Sequence, residues 1–184
     1  MPDRLHWHQR VMSDLADVWQ QQNIRITTKI WLYSASVMSV LLYGAETSML
    51  TEQELVKVQA FHTNCQCHIL DFKWYDFVTN ESICTATSLA DTRDIIQRRR
   101  LGLFGHVARF DRGVPAAGAL VMCCDSKDFT LPDSTGRRPR GHPRHSWLHQ
   151  VYRDSDMSAS DALTLAQDRY LWRVVATASG LGAQ

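Results

Sequence analysis

The sequence has no apolar run long enough to cross a membrane. Its most apolar stretch, Ile30–Tyr43, is short and interrupted by Ser34, Ser36 and Ser39, whereas a spanning helix needs about 20 apolar residues. No membrane partner is expected, and the stretch is read as a buried helix. There is no excess of charge of one sign: 20 Lys and Arg face 19 Asp and Glu, a net +1, so the chain as a whole is not a polycation. The five cysteines are odd in number and lack the spacing of a disulfide framework, which suits a reducing compartment. The first ten residues are polar and form no signal-peptide pattern. The expected location is intracellular, nuclear or cytoplasmic, and not secreted.

Catalytic patterns are missing too. There is no Gly-rich phosphate loop and no nucleophile elbow. A polymerase needs converging carboxylates to hold two metals, and Asp154 with Asp156 is read instead as an exposed helix-end loop. His62, Cys65, Cys67 and His68 form the densest group of metal-ligand types. On a helix His62 and Cys65 share a face while Cys67 points elsewhere, and a tetrahedral zinc site needs four converging ligands. Cys84 and the adjacent Cys123 and Cys124 do not supply the missing distant pair. The group is read as buried thiols beside a surface histidine. No metal, no cofactor and no catalytic residue is assigned, and the chain by itself is not expected to be an enzyme.

What is there is helical. At 184 residues and 45% hydrophobic, with six Trp, the chain has material for a sizeable core. Apolar spacing predicts helices over 5–22, with Val11, Leu15, Val18 and Trp19 on one side, and over 28–43, stopped by Gly44. Thr51-Glu52-Gln53-Glu54 has the pattern of a capping box opening a helix to about Leu70, with Leu55, Val58, Cys65 and Ile69 inward. Thr79 caps a short helix to about Thr87. Ser88-Leu89-Ala90-Asp91 repeats the capping pattern before a helix to about Phe110, striped by Leu89, Ile96, Leu103, Val107 and Phe110. Gly102 and Gly105 weaken that helix by about 1 kcal/mol each against Ala and either admit a neighbouring backbone or mark a kink. Pro115 starts a helix through Val121, residues 124–145 are loop, and Trp147–Tyr152 is a helical turn or two. Ser158 or Ser160 caps a last helix with Leu163, Ala166, Tyr170 and Val174 inward, and residues 179–184 are expected to fray. The fold class is all-α, an irregular bundle of about five to seven helices with a long basic Pro/Gly-rich loop.

The near-neutral total hides an uneven distribution. Residues 98–147 hold ten Arg and Lys against four Asp, a local net of +6, so the remainder sums to −5. Within this centre Gly136–Trp147 gathers Arg137, Arg138, Arg140 and Arg144 between Pro139, Pro143, Gly136 and Gly141. Proline fixes φ and removes a donor, which excludes a helix interior or a central strand and leaves an extended arm. Its like charges repel unless a polyanion neutralises them. Arg98, Arg99 and Arg100 form a second cluster on the preceding helix. RNA or DNA phosphate backbone suits both; a solvated linker is the alternative for the arm. Trp147, next to the arm, either stacks on bases or pins the arm to the core. Trp74 and Tyr75 are further possible stacking platforms.

Four segments in order carry a resemblance: Leu41-Leu42-Tyr43-Gly44-Ala45-Glu46-Thr47, Arg99-Arg100-Leu101-Gly102-Leu103-Phe104-Gly105-His106-Val107, the Gly136–Trp147 arm, and Asp168-Arg169-Tyr170-Leu171-Trp172-Arg173. Together they resemble the C-terminal region of non-LTR (LINE-type) retrotransposon reverse transcriptases. The resemblance covers about residues 11–176. It implies a thumb-like helical region over 1–110, a linker and basic arm over 111–145, and a C-terminal helical segment over 146–184. It further implies that the polymerase palm and the endonuclease lie upstream, and that this part grips template RNA, primer or target DNA through Arg98–Arg100 and Arg137–Arg144. Association with the palm, or self-association through helix 28–43, would cover apolar surface. The rival expectation is a degenerate helical remnant or protein-interaction module without nucleic-acid binding, favoured by the near-neutral total charge.

Overall fold

The computed structural model describes residues 10–128 and 146–178. All regular structure among them is helical, so the fold is all-α. The helical segments outnumber the five to seven expected because three expected helices, 5–22, 28–43 and the last, are interrupted. The basic Pro/Gly-rich segment over 129–145 and the terminal residues 179–184 lie outside the described residues. The chain divides into two compact units, residues 1–44 with 50–93, and residues 45–49 with 94–184. The divide falls at Arg93, upstream of the expected boundary at 110.

In the first unit, residues 10–14 are helical and α1 spans Ala16–Gln20. Trp19 is buried there, and its indole N–H donates to the Met12 carbonyl at 3.1 Å. The last carbonyls of a helix lack intrahelical partners. The buried Lys29 supplies one here, donating to the Trp19 carbonyl at 2.5 Å.

The expected helix 28–43 is three pieces: α2 (Ile26–Tyr33), a π-helical turn (Ser34–Met38) and α3 (Ser39–Leu41). Ser36 and Ser39 donate to the carbonyls of Leu32 and Ala35, four residues back, each at 2.6 Å. Such back-bonding competes with the backbone ladder and bends helices, and it accompanies the wide turn. The stretch is not buried all round: Tyr33, Val37 and Leu41 face inward, while Trp31 is 70% and Tyr43 77% exposed. Gly44, at φ 63°, turns the chain after it as expected.

α4 (Glu52–Ile69) opens on the expected capping box. Thr51 accepts the Glu54 N–H, and the Glu54 carboxylate takes the Thr51 N–H at 2.8 Å. Those hydrogen bonds hold the Glu54 carboxyl below its ordinary range. A 3-10 turn, Trp74–Asp76, follows. α5 (Asn80–Thr87) is capped by Thr79 and closed by Ser88 in the left-handed region. Ser88 therefore ends one helix rather than starting the next. α6 (Thr92–Ala108) starts instead at Asp91, whose carboxylate accepts the Arg93 N–H at 2.7 Å.

In the second unit, α6 continues with α7 (Pro115–Asp128), α8 (Trp147–Ser155), α9 (Ala159–Leu165) and α10 (Arg169–Ala178). α7 starts at Pro115 as expected but runs past Val121, so the expected loop over 124–128 is helix. α8 and α9 are capped by the hydroxyls of Ser146 and Ser158. The Asp168 carboxylate, accepting the N–H groups of Tyr170 and Leu171, separates α9 from α10 where one helix was expected. That break rotates the last helix: Trp172 and Ala176 are buried, and Tyr170 and Val174 are exposed. The core joins Leu101, Phe104 and Ala108 of α6 to Leu120 and Cys124 of α7, Leu148 and Val151 of α8, and Ala159, Ala162 and Ala166. Along α6, Ile96 is buried as expected, but beyond it the buried stripe lies one position off the expected one: Leu103 and Val107 are half-buried and Phe110 is exposed.

Candidate nucleic-acid interface

Three consecutive arginines on a helix point in three directions, about 100° apart, because 3.6 residues complete a turn. Arg98 and Arg99 are exposed on α6. Arg100 is on the opposite, inward side and only 3% exposed. Its Nη1 pairs with the Asp154 carboxylate of α8, itself 8% exposed. Gln97, one turn away, donates to the Asp154 carbonyl at 3.0 Å. Arg100 is thus removed from the expected phosphate-contacting set, and Asp154 is not part of an exposed loop. A guanidinium taken out of water is retained only with a partner, and here the partner serves to join two helices.

Trp147 has a structural role. It is half-buried, its indole N–H donates to the Glu46 carbonyl at 2.6 Å, and its ring lies 6.4 Å from that of Phe104. Trp147 meets Phe104 near one end of α8, and Asp154 meets Arg100 near the other, so the two helices run antiparallel. The start of α8, where the basic segment ends, is clamped to the same helix that carries Arg98 and Arg99. The rise from Trp147 to Asp154 is about 10 Å at 1.5 Å per residue. Arg137, Arg138, Arg140 and Arg144 lie outside the described residues.

Gly105 explains part of the Arg99–Val107 segment. The Trp172 indole occupies the place where a Cβ would stand on Gly105. The same indole donates to the Leu101 carbonyl at 2.7 Å and packs 5.2 Å from the Phe104 ring. A side chain, not a backbone, makes the close approach. Gly102, three residues earlier, has open space around its Cβ position.

The His62 group turns out differently from a metal site. His62 and Cys65 do share a face, and both are buried. His62 is therefore not the surface histidine of the pair; His68 is. The Nδ1 of His62 is 2.8 Å from the Tyr33 hydroxyl, and the two rings stack. Nε2 meets no partner at hydrogen-bond geometry, although the Ala90 backbone and the Asp91 carboxylate favour its charged form. Burial outweighs both and pushes the imidazole below its ordinary value. Burial also pushes the Cys65 thiol up to about 12 and raises the Tyr33 hydroxyl, so neither is an available nucleophile at neutral pH. Among the described residues no three His, Cys, Asp or Glu converge on a metal position, and no helix is long and apolar enough to cross a membrane.

Sequence reasoning missed the Arg100–Asp154 pair and the Trp172–Gly105 seat. A signal for the first was present: Leu148, Val151 and Asp154 follow one another at three-residue spacing, which places the carboxylate beside the inward stripe. Comparison with models of known protein families, with curated proteins and with solved structures gives no match.

Proposed function

We propose that this chain is a non-catalytic nucleic-acid-binding module, of the kind found C-terminal to the polymerase palm in LINE-type reverse transcriptases, and that it holds RNA or DNA by the phosphate backbone. The observation that carries the reading is where the positive excess lies. The second unit has 13 basic and 10 acidic residues, and four of the basic ones are Arg137, Arg138, Arg140 and Arg144. The segment that bears them ends at Ser146, and the next residue is anchored by the Glu46 carbonyl and the Phe104 ring. Arg98 and Arg99, exposed on α6, add a second cationic place on the same unit. The Arg100–Asp154 pair and the Trp172 seat on Gly105 give structural roles to residues of the segments that carry the resemblance. Such contacts position a nucleic acid without reading its sequence.

The test is a salt series. Affinity for duplex DNA should fall with a log–log slope of about −0.9 for each phosphate neutralised, with about 3–5 phosphates engaged. Replacing the four arm arginines with Ala should remove most of the slope. A salt-independent affinity, or a slope untouched by that replacement, would overturn the proposal.

A further inference from the structure

The helical stretch from α2 to α3 carries a row of exposed residues four apart: Trp31, Ala35, Ser39 and, in the turn that closes α3, Tyr43. Trp31 is 70% and Tyr43 77% exposed. In an unbroken α-helix such a row winds round the cylinder. At about 100° per residue, Tyr43 would stand about 120° away from Trp31. The π turn over Ser34–Met38 closes its rings one residue later and takes back about 100° of that rotation. The two aromatics are left within about 20° of each other, with Ala35 and Ser39 between them. The wide turn thus straightens the row, and such turns collect at functional sites.

The chemistry of the row narrows what covers it. Residues 30–43 contain no Asp, Glu, Lys or Arg. Lys29, just before them, is buried with its ammonium on the Trp19 carbonyl. A phosphate backbone finds no counter-charge along the row, and neither does an anionic lipid surface. The hydroxyls of Ser36 and Ser39 donate to their own helix. What remains is an uncharged stripe in the order aromatic, small, small, aromatic. That order reads the same in both directions, and a two-fold interface requires a patch complementary to itself. Turned about the middle of the row, a second copy sets Trp31 against the partner subunit's Tyr43, and Ala35 against the partner subunit's Ser39. No charge meets its own copy across the axis, and the small pair admits the axis separation of about 8–10 Å usual for packed helices. Trp and Tyr bury about 150–250 Å² each, so these two rings, with the half-exposed Val40 and the small residues, bring roughly 400–500 Å² per copy. The total of about 800–1,000 Å² is at the low end for a specific interface, the size of a weak, concentration-dependent one.

We propose that the chain forms a two-fold homodimer in which the Trp31–Tyr43 faces of two copies pack antiparallel.

The test is sedimentation equilibrium of the full chain, without nucleic acid, from micromolar to submillimolar concentration. A monomer–dimer equilibrium is expected. Trp31→Ala/Tyr43→Ala should raise its dissociation constant about tenfold or more, as loss of central aromatic anchors does, while circular dichroism shows the variant folded. Phe77→Ala removes another highly exposed ring of the same unit and should leave the constant unchanged. Mixing Ala35→Cys chains with Ser39→Cys chains under mild oxidation should give the crossed disulfide, position 35 to position 39, in preference to either like-with-like link. Four results would each overturn the proposal: a monomer throughout, a dimer insensitive to the double replacement, association that continues past two copies, or no preference for the crossed link.

Discussion

Arg98, Arg99 and Arg100 are identical in chemistry and differ in duty. Arg98 and Arg99 are exposed, and Arg100 is buried against Asp154. Arg100→Ala should therefore destabilise the protein by about 3–5 kcal/mol, the cost of breaking a buried ion pair by removing one partner. Arg100→Met combined with Asp154→Leu should recover most of that loss. Arg98→Ala should change stability by no more than about 0.5 kcal/mol while weakening nucleic-acid binding. Urea denaturation beside the binding assay separates the two duties; a stable Arg100→Ala with weakened binding would reverse the assignment. His62 supplies a pH dependence. Unfolded, its imidazole titrates near about 6.5; folded, burial holds it lower. The unfolded state then binds more protons between those two values. Its contribution is fully present above about 6.5 and is lost as the pH falls toward the folded value. Stability should drop as the pH falls below the unfolded value, and His62→Gln should flatten that part of the profile.

At the scale of elements, glycines in one helix carry opposite expectations. Gly102→Ala in α6 enters open space and should stabilise by up to about 1 kcal/mol, the propensity difference. Gly105→Ala meets the Trp172 indole, and the displaced ring would lose its hydrogen bond to Leu101, so this substitution should destabilise despite the better helix former. Thermal denaturation of the two variants checks the sign of each. The elements legible in the sequence were those announced by local chemistry. The Thr51–Glu54 box, the Thr79 cap and Pro115 mark starts within a few bonds of the residue that causes them. Less legible were features set by distant partners. The inward face of α6 is chosen by Trp172, Leu148 and Val151, not by its own weak stripe. The split of the last helix depends on Asp168 accepting two N–H groups, a pattern its neighbours Arg169 and Tyr170 did not announce. The candidate site was legible as charge along the chain. Which arginine turned inward was not, because that depends on an acid 54 residues away.

Across the whole molecule, charge divides with the two units. The first holds seven basic and nine acidic residues, a net −2, and the second a net +3. Losing the four arm arginines would take the second unit to −1 and should remove most of the salt slope, leaving the share that Arg98 and Arg99 contribute. The apolar surface is also divided, with Trp31 and Tyr43 in one unit and Tyr170 in the other. Each unit further holds a sealed indole whose N–H is bonded to a carbonyl of its own unit: Trp19 to Met12, Trp172 to Leu101. The molecule thus has a built-in optical marker for each half. Variants that keep one of these two fluorophores and replace the other tryptophans would show by their emission whether both halves melt in a single step.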